Sequence, residues 1–178
     1  MKKFRILFSA LVCAFLATAV QAKSFSWQGV TLDYPSGYLI TDKEYDGETY
    51  DFCCEIDDDD IVSMINFSIA KDDDGDFEDL DEEGILGCLG EAVKTVCRGL
   101  QKETPFADLR FGSVESDSWG PYPRVSCDFS GKILGVVPLS GKVVLVYGKG
   151  KIVTMVLQAD SRSNMQTLLG IVGSIRLE

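Results

Sequence analysis

An α+β fold, with a mostly antiparallel sheet sandwiched between two main helices (an α/β/α sandwich), is predicted by three features of the 178-residue sequence. Apolar residues alternate with polar ones through several short runs, the signature of strands with one buried face. In two segments only, around 80–102 and near the C-terminus, the apolar spacing changes to the helical 3.6 residues. Two late runs, Val143–Val146 and Ile152–Leu157, are apolar at nearly every position. A strand of that kind is covered on both faces, which places a layer on each side of the sheet.

The elements follow in order. Phe25-Ser26-Trp27 and Thr31–Pro35 form two strands turning at Gln28-Gly29, and Pro35 ends the second because it cannot donate to a ladder. Tyr50, Phe52, Cys54 and Ile56 share one phase, and Ile61, Ile65, Phe67 and Ile69 share another. Asp57–Asp60 between them makes a hairpin tip, where solvent relieves the repulsion of four carboxylates. Ile85, Leu89, Ala92, Val93, Val96 and Leu100 fall on one helical face, giving a helix from about Leu80 to Lys102. Its acidic start and basic end suit the macrodipole. Strands then run at Leu109–Glu115, Pro123–Ser130, Ile133–Val137, Val143–Tyr147 and Ile152–Gln158, with Gly148–Lys151 as the last hairpin tip. Ser163 with Gln166 reads as a capping box, opening a helix that buries Met165, Leu168, Leu169, Val172 and Ile175.

The N-terminus carries an address. Met1–Arg5 is short and basic, Ile6–Val20 is apolar apart from Ser9 and Thr18, and Val20-Gln21-Ala22 offers small residues for cleavage. Residues 1–22 therefore read as a secretory signal peptide, and residues 23–178 as a single α+β domain, exported to a periplasm or beyond the cell. The apolar run is short of the roughly 20 residues a membrane span needs. Cys13 is not in a lipobox context, because Val12 is bulky. No membrane span is expected elsewhere. Removal of Lys2, Lys3 and Arg5 takes the net charge from −11 to −14.

The order of elements, the run Val30-Thr31-Leu32-Asp33-Tyr34-Pro35-Ser36-Gly37-Tyr38, and a terminal helix ending Ile171-Val172-Gly173-Ser174-Ile175-Arg176-Leu177 resemble the Mog1/PsbP-like superfamily. The resemblance covers essentially all of 23–178. That superfamily includes lumenal photosystem accessory subunits, a nuclear GTPase-binding protein, small exported bacterial proteins of unknown role and bacterial effector chaperones. The resemblance implies a binding or accessory scaffold, and no partner transfers with it, since fold does not determine function. The effector-chaperone role fits poorly, because that work precedes export.

Exclusions are sharper. The chain has no histidine, which removes Ser-His-Asp and Cys-His nucleophile pairs and the commonest zinc and iron ligand. It has no glycine-rich phosphate loop, and its basic residues are scattered, so nucleotide and nucleic-acid binding are not expected. A glycosidase pair of carboxylates carries no signal among 28 acids. No enzymatic activity is expected. Cys53, Cys54, Cys88, Cys97 and Cys127 remain after leader removal, an odd number for an exported protein. Disulfides of open connectivity, reduced core thiols, and a redox or metal site are the alternatives. Cys54 and Cys127 lie on the apolar phase of their strands. Cys88 and Cys97 project to opposite flanks of one helix and cannot pair with each other.

The charge is concentrated. Asp42–Glu83 holds nineteen carboxylates against Lys43 and Lys71, whereas Gly84–Glu178 holds eleven Lys/Arg against eight Asp/Glu. Within that block, Asp72-Asp73-Asp74-Gly75-Asp76-Phe77-Glu78-Asp79-Leu80-Asp81 resembles an EF-hand loop with Gly75 at its sixth position. Asp72, Asp74, Asp76, Glu78 and Asp81 form the candidate Ca²⁺ ligand set. The match fails at the first position, which is Ala70, and at the twelfth, where Asp81 replaces a bidentate Glu. The competing reading is a solvated loop that supplies the acidic first turn of the helix, with no cofactor. Two functions follow. One is a non-enzymatic exported binding or accessory protein, engaging a protein or small-molecule partner through its acidic surface or a sheet–helix groove. The other is a weak Ca²⁺ binder or an inhibitor/immunity-type protein that neutralises a basic partner.

Overall fold

In the computed structural model, which describes residues 22–58, 62–102 and 106–178, the hydrophobic patterning resolves into two antiparallel sheets and two helices. The expected signal peptide (apart from Ala22), Cys13, and Asp59, Asp60 and Ile61 of the expected hairpin lie outside the described residues.

Strands β1 (Ala22–Trp27) and β2 (Val30–Pro35) form the expected hairpin, closed by Gln28 and Gly29, both with positive φ. This is the primed turn whose twist matches that of paired strands. Strand β10 (Arg176–Leu177) adds to the free side of β2 and completes a three-stranded sheet. The expected terminal helix is thus corrected. Helix α2 (Arg162–Gly173) stops before Ser174, and the Arg-Leu pair is a strand. Ser174 makes the corner by accepting from the Asp33 backbone N–H at 2.9 Å and donating to the Asp33 carbonyl at 3.0 Å. Arg176 grips the Asp33 carboxylate with both terminal nitrogens, at 3.0 and 3.2 Å.

The second sheet has seven strands in the order β3 (Tyr38–Tyr45), β4 (Thr49–Ile56), β5 (Ser63–Lys71), β9 (Lys151–Ala159), β8 (Val137–Tyr147), β7 (Tyr122–Ile133), β6 (Phe106–Trp119). Helix α1 (Glu82–Leu100) lies on β6, β7 and β8, and α2 lies on the opposite face against β9 and β5. The doubly apolar strands are explained by this arrangement. Val144, Val146, Val153, Met155 and Leu157 face α2 and the small sheet, while Val143 and Leu145 face α1 with Leu89, Val93 and Leu100.

Three local expectations change. Ile133–Val137 is not a strand of its own. It is the turn between β7 and β8, with Leu134 and Gly135 at positive φ, and Leu134 and Val136 are each 74% exposed. The cap of α2 is Ser161, whose hydroxyl accepts from Asn164 N–H at 3.2 Å, two residues before the expected Ser163. On α2, Ile171 takes the core position and Leu169 faces outward.

One close approach fixes the β7–β8 ladder. Phe129 is paired with Gly141, and its ring lies where a Cβ on Gly141 would stand, 2.1 Å from the nearest ring atom. Gly141→Ala is expected to cost about 1–3 kcal/mol by overpacking. Urea unfolding reads this, and Phe129→Leu in the Gly141→Ala background should recover part of it. Full stability in the single variant would show that the ring moves freely.

Candidate functional site

The acidic block of the sequence does not end up in one place. Asp57 sits at one end of β4, and the loop from Asp72 to Asp81 leaves the far end of β5. A nine-residue strand at about 3.3 Å per residue separates them by roughly 25–30 Å. What joins the 72–81 loop is instead the β3–β4 turn, because Thr49 pairs with Ala70 at that end of the sheet.

Asp46 builds that turn. Its Oδ1 accepts from the backbone N–H groups of Thr49 at 2.7 Å and Glu48 at 2.8 Å, and these donors, Thr49 foremost, hold its carboxyl below the usual range. The Tyr45 hydroxyl donates to the Gly47 carbonyl at 2.8 Å. The turn brings the rings of Tyr45 and Tyr50 into a stack with centroids 4.3 Å apart. Lys71 lies with its ammonium 5.2 Å from the Tyr50 ring centroid, in cation–π contact.

Asp72 organises the facing loop. Its backbone N–H donates to Gly150 at 3.0 Å, and its Oδ2 accepts from Phe77 N–H at 3.2 Å and from the Tyr147 hydroxyl at 3.0 Å. Phe77 stacks on Tyr147 with centroids 4.9 Å apart. Burial, then the bond to the Asp72 carboxylate, pushes the Tyr147 phenol up to about 12, so it stays a donor across the physiological range. The loop is therefore held by these side chains together with successive backbone turns, Gly75 N–H to Asp72 at 3.2 Å, Glu78 N–H to Gly75 at 3.0 Å and Leu80 N–H to Phe77 at 3.3 Å.

Between turn and loop lies a cavity of about 460 Å³, walled by Tyr45, Tyr50, Asp72, Asp73, Asp74 and Asp76. The exposed Tyr45 ring and five carboxylates, Glu48 being the fifth, outweigh the one cation in the wall, Lys71, and so receive a further cation, since the ring supplies quadrupole attraction and the acids supply charge. Of the candidate Ca²⁺ ligands, Asp72, Asp74 and Asp76 share this cavity. Glu78 is exposed and outside its wall, and Asp81 Oδ1 accepts from Gly84 N–H at 2.9 Å as the N-cap of α1. Among the described residues no group of three or more Cys, Asp or Glu side chains is placed to hold a metal ion.

A second concavity of about 380 Å³ opens on the α1 side of the sheet, over β4 and β5, lined by Asp42, Glu44, Asp51, Cys53, Asn66 and Ser68. Its wall is made by β3, β4, β5 and β9 without a residue of either helix, so it is a concavity of the sheet and differs from the sheet–helix groove expected from the sequence. Glu44 and Asp51 are direct cross-strand partners there, a like-charge pairing that disfavours the strand pair.

The sequence reasoning located the carboxylates and missed the aromatic half, Tyr45, Tyr50 and Tyr147. The signal for two of them was present: Asp46-Gly47 is a turn dipeptide flanked by tyrosines. All five described cysteines are free thiols. Cys54 is in the core on the α2 side, Cys53 faces the opposite side of the sheet, Cys97 of α1 and Cys127 of β7 are buried between that helix and the sheet, and Cys88 is exposed.

No protein-family model matches the chain, and no curated protein matches it. Solved structures do. The cyanobacterial PsbP protein (CyanoP) of Synechocystis sp. PCC 6803 superposes with a TM-score of 0.59 at 14% identity, covering 89% of this chain and 94% of that one. The chain has the PsbP/Mog1-like fold. A protein of Bacteroides thetaiotaomicron VPI-5482 superposes with a TM-score of 0.53 at 12% identity, covering 89% of this chain and 49% of the other. At these identities the PsbP/Mog1-like likeness is one of fold, and site residues are read from this chain alone. No helix among the described residues is long and apolar enough to cross a membrane.

Proposed function

We propose that this is an exported, non-enzymatic binding protein whose acidic end captures a lysine- or arginine-bearing partner protein. The observation that carries the reading is the 460 Å³ cavity, in which the Tyr45–Tyr50 stack faces Asp72, Asp73, Asp74 and Asp76. Lys71 over Tyr50 illustrates the chemistry, an ammonium held by an aromatic face beside carboxylates. The Glu44–Asp51 pairing supports it, since a basic partner along the neighbouring groove would relieve that repulsion. Export rests on the N-terminal segment with its basic start and apolar run.

Residues 23–178 titrated with an arginine- and lysine-rich peptide are expected to bind with an association rate that falls steeply with salt, the mark of electrostatic steering. Asp73→Asn/Asp74→Asn/Asp76→Asn should weaken binding at least about tenfold, the loss of some 1.4 kcal/mol. A control with equal charge loss elsewhere, Asp57→Asn/Asp58→Asn/Glu115→Gln, should weaken it far less. Equal losses in both variants would mean general charge attraction and no site.

A further inference from the structure

The most informative chemistry outside the acidic end is a pair of cysteines from two different elements. On α1, Leu89, Val93, Cys97 and Leu100 form the buried stripe. On β7, Val125, Cys127 and Phe129 point up into the same core. Cys97 and Cys127 are 8% and 2% exposed, belong to one buried cluster and line the same cleft. The Cys127 thiol also reaches the Gly112 carbonyl at 3.5 Å.

A cleft of about 250 Å³ leads to both sulfurs, with Phe111, Gly112, Lys94 and Arg98 around it. The β6–β7 register shifts between Phe111 and Val114, so a bulge containing Gly112 lies beside Cys127 at this cleft. Lys94, paired with Glu91 at 2.6 Å, and Arg98 stand at this mouth and leave it one net positive charge, in a chain whose net charge is −11.

We infer that Cys97 and Cys127 are a redox pair that closes into an intramolecular disulfide, stapling α1 to β7, when the protein meets a low-molecular-weight disulfide oxidant. Two thiols and one reagent disulfide give one protein disulfide and two reagent thiols. The first cysteine loses its proton to solvent and its thiolate attacks a reagent sulfur, breaking the reagent S–S bond and releasing one thiol. The second thiolate attacks the protein sulfur of the mixed disulfide and releases the other. Two electrons pass from the cysteines to the reagent. Arg98 at the mouth favours the approach of an anionic reagent such as glutathione disulfide. Cys53 and Cys54 have no comparable partner, since adjacent strand residues point to opposite faces. Burial, then the neighbouring Cys127, pushes the Cys97 thiol up to about 12, so closure in the folded protein is slow at neutral pH and accelerates as pH rises.

The test is peptide mapping of folded, pre-reduced residues 23–178 after incubation with glutathione disulfide, acid quench and alkylation of remaining thiols. The expected product links the Cys97 and Cys127 peptides, leaves Cys53 and Cys54 alkylatable after unfolding, and forms faster at pH 9 than at pH 7. Cys88→Ser should leave the link intact, and Cys97→Ser should abolish it. The wild-type map needs no variant, so a folding defect in Cys97→Ser does not blur the result. The pairing is overturned if both cysteines remain alkylatable after prolonged incubation. It is equally overturned if either links to Cys53, Cys54 or Cys88.

Discussion

Phe67→Ala is expected to lower the unfolding free energy by about 3–5 kcal/mol, the range for truncating a large buried aromatic. Phe67 is 2% exposed and lies at the centre of the layer between the two sheets. Its ring stacks on Phe52 with centroids 4.4 Å apart and planes 6° from parallel, and the two residues are direct partners in the β4–β5 register. Phe52 in turn touches Phe25 and Trp27, so the Phe67 ring supports the docking of the small sheet. Loss of the ring pair adds about 0.5–1.5 kcal/mol to the area effect. Against a typical total of about 5–15 kcal/mol this is a large fraction. Urea unfolding should show the midpoint falling by about 2 M for a slope near 2 kcal/mol/M. Phe67→Leu should retain most of the stability, and Tyr45→Ala, at a ring 57% exposed, should change it by less than about 1 kcal/mol. A Phe67→Ala loss no larger than that of Tyr45→Ala would mean the cavity collapses.

The parts of the fold legible in the sequence are those whose pattern is set by one face or by one turn. Helix α1 was visible because Leu89, Val93 and Leu100 keep one period for about three turns. The β1–β2 hairpin was visible because Gln28-Gly29 is both polar and conformationally apt. Strand β3 was not. Between Thr41 and Glu44 it carries one residue more than its partner, with Asp42 at positive φ, so the alternation breaks in mid-strand. The β7–β8 turn was hidden for the opposite reason. Its tip is Leu134-Gly135-Val136, and apolar residues in a turn read as strand. The two residues of β10 are too short to carry any period, and their pairing with β2 is decided by Ser174 and Arg176 reaching Asp33 across the chain. The site divides in the same way. The carboxylates were obvious from composition, but their separation into two ends depends on which strand neighbours which. The stack of Tyr45 on Tyr50 depends on a turn whose register only the folded chain sets.

Raising the pH from 9 to 12 is expected to destabilise the fully reduced protein strongly, through three buried thiols. Burial is the main cause that pushes Cys53, Cys54 and Cys97 from an ordinary value of 9.0 up to about 12. The neighbouring Glu55 adds to it for Cys53, Cys53 for Cys54, and Cys127 for Cys97. In the unfolded chain these thiols ionise near 9, whereas in the fold they hold their protons until about 12. The unfolded state therefore binds fewer protons throughout this window. Stability is complete below pH 9 and falls as pH rises, by about 1.4 kcal/mol per pH unit per thiol once ionisation in the unfolded chain is well advanced. Cys53 and Cys54 together give up to about 3 kcal/mol per pH unit and Cys97, beside an open cleft, less, which is a large part of an ordinary domain's stability by pH 12. Urea midpoints measured at intervals from pH 8 to 11 read the slope directly. Cys54→Val should remove one thiol's share of it, so the variant and wild-type curves converge as pH rises. Parallel curves would show that Cys54 ionises in the fold as it does in the chain. Closing the Cys97–Cys127 disulfide should remove a second share, because a sulfur in a disulfide has no proton to lose, leaving Cys53 as the remaining contributor of the three.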